Sequence, residues 1–141
     1  MKTLKSILLG LALLVVTNVV KADEPVSAKT TKNQVISTYV NAITLGNNNG
    51  LNDVIDQSAK FSVLRGAKVV SFDKAEMMQF ADQNKNVQQA CTTTTTEVES
   101  NADVSILKVD MKFANFTRSN YVTIANTGDG WKITSVYSVF K

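Results

Sequence analysis

The sequence contains no histidine, one cysteine and one proline in 141 residues. Without histidine, Ser-His-Asp and Cys-His catalysis are excluded, as is any His-ligated zinc site. The usual side chain for shuttling protons near neutral pH is missing with it. A lone cysteine cannot close an intrachain disulfide, so the fold must rest on apolar packing. Nothing in Gln88-Gln89-Ala90-Cys91-Thr92 supplies a base or a positive charge to activate that thiol, and Cys91 reads as a buried structural residue. No cofactor or metal site is assigned.

What is present begins with Lys2 and Lys5, an unbroken apolar stretch from Ile7 to Val16, and Val19-Val20-Lys21-Ala22 before the acidic Asp23-Glu24. A charged start, a short apolar run and a small residue at the cut describe a secretory signal peptide over residues 1–22. The run falls short of the roughly 20 residues that a spanning helix needs, so no stable membrane anchor is expected. The mature form is expected to begin at Asp23 and to be periplasmic or secreted. Cleavage there removes three lysines and no acid, leaving 12 basic and 12 acidic residues. No Lys/Arg-rich run remains to track phosphates, which excludes nucleic acid as a partner.

Residues 23–30 hold the only proline and no apolar period, and read as a short tether. From about Thr31, Val35, Ile36, Tyr39, Val40 and Ile43 recur at three- and four-residue steps, the pattern of an amphipathic helix that ends at Gly46. Leu51, Val54 and Ile55 suggest a second, short helix. Phe61 and Val63 alternate as in a strand, with a turn at Arg65-Gly66-Ala67 into Val69-Val70. Asp73 with Glu76 three residues on opens a third helix carrying Met77, Met78, Phe80 and Ala81. Thr92–Thr96, Ser105–Phe113, Tyr121–Ala125 and Trp131–Phe140 are strand-like, the last two joined by Asn126-Thr127-Gly128-Asp129-Gly130. The expected fold class is α+β, a cone-shaped domain over residues 31–141. Its N-terminal helices pack on one face of a curved, mostly antiparallel sheet.

Three stretches carry a family likeness: the helix ending near Tyr39–Gly46, the passage LNDVIDQSAKFSVLRG, and GDGWKITSVYSVFK at the end. Together they resemble the nuclear transport factor 2-like superfamily, and with the export signal the chain looks like its small secreted lumazine-binding-like and polyketide-cyclase-like members. The resemblance implies a pocket between helices and sheet. It does not choose a reaction, since fold and function separate in such superfamilies.

The residues expected to line that pocket are Tyr39, Met77, Phe113, Tyr121 and Tyr137, apolar walls with hydroxyls to orient a ligand. Asp56, where the second helix gives way to a strand, is the one weak catalytic candidate, and as a base it would need burial to raise its pKa. Asp110, between Lys108 and Lys112, reads as an exposed cross-strand partner. Leu107, Val109, Met111, Phe113, Trp131 and Ile133 are expected on the covered side of the sheet. Val122, Ile124, Val136 and Phe140 are expected on the other side, where they would support a homodimer. The favoured function is non-catalytic binding of a small, largely apolar molecule. The alternatives are a histidine-free acid-base enzyme of isomerase or cyclase type using Asp and Tyr, and a protein-association module.

Overall fold

The structure is a computed structural model that describes residues 29–141. The expected signal segment and most of the tether lie outside the described residues. The end of the tether is seen: Thr30 bridges Gly130, and the Trp131 amide donates to the Thr30 carbonyl at 2.9 Å. Among the described residues, no helix is long and apolar enough to cross a membrane.

Helix α1 spans Lys32–Leu45 and opens with a reciprocal cap. The Thr31 hydroxyl accepts from the Gln34 amide at 3.2 Å, and the Gln34 side chain accepts from the Thr31 amide at 2.8 Å. This satisfies two amides that a helix start leaves without partners. The helix stops at Gly46, whose φ of 66° returns its amide to the Ala42 carbonyl. After the single turn α2 (Leu51–Val54), the chain runs through β1 (Ile55–Arg65) and β2 (Lys68–Asp73) into α3 (Lys74–Gln83). Asp73 caps α3 by accepting from the Glu76 amide at 2.9 Å. Strands β3 (Thr92–Ser100), β4 (Val104–Lys112), β5 (Thr117–Thr127) and β6 (Gly130–Phe140) complete the domain.

The six strands form one sheet in the order β2-β1-β6-β5-β4-β3. It is mixed: β1 runs parallel to β6, and all other neighbours are antiparallel. Local hairpins build β3 to β6, whereas β1 reaches β6 from the far end of the sequence, a pairing that no turn signal announces. Helices cover one face of this sheet. Val35 and Tyr39 of α1 and Met77 and Ala81 of α3 join Phe61, Leu107, Val109 and Ile133 in the core. Lys74 is buried too, its ammonium shared at 2.8 Å between the Asn52 and Ile55 carbonyls at the end of α2. Those two bonds replace the water that the charge gives up.

The covered face differs from the expectation at four positions. Val122, Ile124 and Val136 are buried among the core residues, and Phe140 lies at the rim on the same side. For Val136 and Phe140 the cause is a bulge in β6, whereas Val122 and Ile124 keep strict alternation in β5 and face inward with their β4 partners Leu107 and Ser105. Thr123 faces Ser135 but Ile124 faces Ile133, so β6 holds one extra residue at this point. A bulge reverses the in-out phase of everything beyond it. Ile133 and Val136, three apart, therefore share a face, and three of the four residues expected on a dimer surface are core. Leu107, Val109, Met111 and Ile133 are buried as expected, while Phe113 and Trp131 are only half-buried. The uncovered face instead carries Tyr121 directly opposite Tyr137, with the Lys108–Asp110 ion pair at 3.6 Å nearby.

Candidate ligand-binding site

A cavity of about 410 Å³ lies between α1, α3 and the helix-covered face of the sheet. Helical periodicity places Tyr39, Ala42 and Ile43 of α1 on its wall, and Met77, Phe80 and Ala81 of α3 opposite. The sheet contributes Phe61, Met111 and Val136. Phe61 stacks on Phe72 with ring centroids 5.7 Å apart, which steadies both rings against the cavity. Part of the wall is irregular chain: Asn84, Val87 and Gln89 belong to the connection between α3 and β3. That connection is tied to the end of α1 by the Asn86 amide to the Gly46 carbonyl at 2.9 Å and by the Gln89 amide to the Thr44 carbonyl at 2.7 Å.

The apolar wall is interrupted by a polar corner made by β5 and β6. Arg118 donates from Nε to Asn120 Oδ1 at 3.0 Å and from Nη2 to Ser138 Oγ at 3.3 Å. Ser138 donates in turn to Asn120 Oδ1 at 2.6 Å. The Asn120 amide nitrogen donates to the Val109 carbonyl at 3.3 Å and points at Met111 Sδ at 3.5 Å. Asn120 and Ser138 are 0% and 1% exposed, so this is a buried, fully engaged clamp rather than surface decoration. The guanidinium also sits 5.8 Å from the Phe140 ring, which in turn adjoins Phe116 and Phe113.

Of the expected pocket residues, Tyr39, Met77 and Phe113 line this cavity. Burial pushes the Tyr39 hydroxyl up to about 12, against the pull of the nearby Arg118 charge, so it stays a neutral phenol at physiological pH. Tyr121 and Tyr137 do not line it. They are paired with each other on the uncovered face, Tyr137 carried there by the β6 bulge and Tyr121 by lying out of phase with Val122 and Ile124. Asp56 is also elsewhere. It lies at the start of β1, its carboxylate accepts from the Ser58 amide at 3.0 Å and from the Ser58 hydroxyl, and these bonds hold it below its ordinary 3.8. A base needs the opposite shift. Cys91 is half-buried rather than buried, with Sγ 3.8 Å from Thr93 Oγ1.

Arg118, Asn120 and Ser138 were not singled out from the sequence, although a signal exists. In RSNYVTI, Arg118 and Asn120 share the phase of Val122 and Ile124, so placing those two valine and isoleucine side chains inward brings an arginine and an asparagine inward with them. Polar residues in phase with a core face mark either a satisfied network or a site.

The sequence model of the Putative lumazine-binding family matches residues 27–138. Among curated proteins, no sequence matches this chain. Solved structures share the fold at low identity. A nuclear transport factor 2-like protein of unknown function from Silicibacter pomeroyi is 16% identical, with a TM-score of 0.61 over 77% of this chain and 90% of that one. One from Shewanella baltica is 11% identical, with a TM-score of 0.60 over 77% and 89%. A nuclear transport factor 2-like protein from Cytophaga hutchinsonii is 11% identical, with a TM-score of 0.59 over 74% and 91%.

Proposed function

The chain belongs to the Putative lumazine-binding family, and we propose from this premise that it binds a small, largely apolar molecule in the cavity without transforming it. The observation that carries the reading is the cavity itself, about 410 Å³ with walls drawn mainly from Phe, Met, Ile and Val. Small-molecule sites of about 300–1,000 Å³ share that make-up, with a few oriented polar groups. The acid-base alternative finds less support. The one carboxylate on the cavity wall, among the described residues, is Glu76, which stands exposed in the first turn of α3. Asp56 is held in its ionised form away from the cavity.

The test is titration with 1-aminoanthracene, a neutral apolar fluorophore. Wild type should show one saturable site, and Ala42→Phe, which fills the cavity from α1, should weaken it about tenfold or more while keeping the melting temperature. Undiminished binding by a folded Ala42→Phe protein would contradict the reading.

We further propose that the protein works outside the cytoplasm, on the strength of the charged start, the apolar run and the Val20-Lys21-Ala22 segment. Protein recovered from an exporting host should give Asp23 as its first residue on N-terminal sequencing, and retention of residues 1–22 in the soluble exported fraction would refute it.

A further inference from the structure

We propose that the Arg118 corner is a carboxylate-binding subsite, so that the cavity takes an apolar monocarboxylic acid with its chain along the α1 and α3 walls. The inference deepens the ligand-binding reading above and rests on it.

The guanidinium has five N–H donors. Two are spent on Asn120 and Ser138, and both lie on the Nε–Nη2 side of the group. The end-on edge, Nη1 with the second hydrogen of Nη2, has no hydrogen-bond partner among the described residues. Arg118 lines the cavity. An edge of two parallel N–H bonds is the shape that a planar carboxylate accepts bidentately.

Charge points the same way. The one ion pair among the described residues is Lys108–Asp110, on the other face of the sheet, so no described carboxylate lies within 4.0 Å of Arg118. A half-buried cation against Met111, Phe113 and Phe140, without a counter-ion, lacks compensation that an anionic ligand would provide. The other charged groups on the wall, Arg65 and Glu76, are both exposed. One inward cation matches a monoanion better than a phosphate dianion, which calls for a richer set of donors.

The clamp explains why the arginine is held rather than free to reach water. Asn120 and Ser138 are buried polar side chains in an otherwise apolar row, and their mutual bond presents oxygen atoms to the guanidinium. Fixing the fork in advance lowers the ordering cost of binding. Phe140 packs 5.8 Å from the guanidinium, with Phe116 beside it, at the exposed rim of the corner.

The experiment compares 4-phenylbutyrate with 4-phenyl-1-butanol, which share an apolar body and differ in the head group, by calorimetric titration of wild type, Arg118→Met and Arg118→Lys. Wild type should prefer the carboxylate by about tenfold or more. Arg118→Met should lose that preference, binding acid and alcohol about equally at one saturable site, and that residual binding also reports a folded cavity. Arg118→Lys should retain only part of the preference, since a point charge cannot form the fork. Equal affinity of wild type for acid and alcohol would overturn the carboxylate subsite and leave the apolar cavity standing. A preference that survives in Arg118→Met would overturn it as well, and failure of wild type to bind either compound would overturn both readings together.

Discussion

Gly46→Ala is expected to destabilise the protein by about 3 kcal/mol, the sum of a left-handed backbone cost and an overpacking cost. At φ 66° any Cβ meets strain, and here it would also lie 2.6 Å from the Asn84 carbonyl oxygen and from the Asn86 and Val87 amide nitrogens. Those are backbone atoms and cannot rotate away. Gly66 provides the control, because its φ is 62° but nothing lies within 4 Å of an added Cβ. Gly66→Ala should therefore cost only about 1 kcal/mol. Urea denaturation of the two variants separates strain from clash, and equal losses would show that the α3–β3 connection does not press on Gly46. The site is involved as well, since that connection supplies Asn84, Val87 and Gln89 to the cavity wall. Its displacement in Gly46→Ala should weaken ligand binding as well as stability.

Ile124→Ala should cost about 2–5 kcal/mol, the range for removing most of a buried isoleucine. Ile124 is fully buried and faces Ile133, also fully buried, across the β5–β6 ladder. Thr123→Ala, one residue away on the uncovered face, should stay within about 0.5 kcal/mol. Similar small effects at both positions would mean that β5 turns its other face to the helices, and the bulge argument would fall with it.

That bulge marks where the sequence stopped being legible. Elements whose signals are local were readable: the start near Thr31 and Gly46 stop of α1, the Asp73 start of α3, and the alternation of Leu107, Val109 and Met111 in β4. The in-out phase of β6 was not, because one extra residue near Thr134 leaves no trace in composition and strict alternation then carries Tyr137 inward and Val136 outward. Tyr121 follows Tyr137 by pairing. The slip hid Ser138, while Arg118 and Asn120 in unbulged β5 were lost with the inward phase of Val122 and Ile124; the meaning of all three depends on lying among Val122, Val136 and Met111 rather than in water. The parallel β1–β6 pairing was out of reach for another reason, since contacts between chain ends leave no periodicity in either strand. The family likeness did reach the fold class and the presence of a pocket, but packing motifs do not say which side chains face it.

The most direct measurement of the central claim, that the helix–sheet cavity is the ligand site, is to follow methyl resonances while titrating the protein with 4-phenylbutyrate. Met77 and Met111, on opposite walls of the cavity, should shift together and saturate at one equivalent, with Val69 and Ile106 on the uncovered face unmoved. Shifts confined to Val69 and Ile106, with Met77 and Met111 unchanged at saturation, would contradict it.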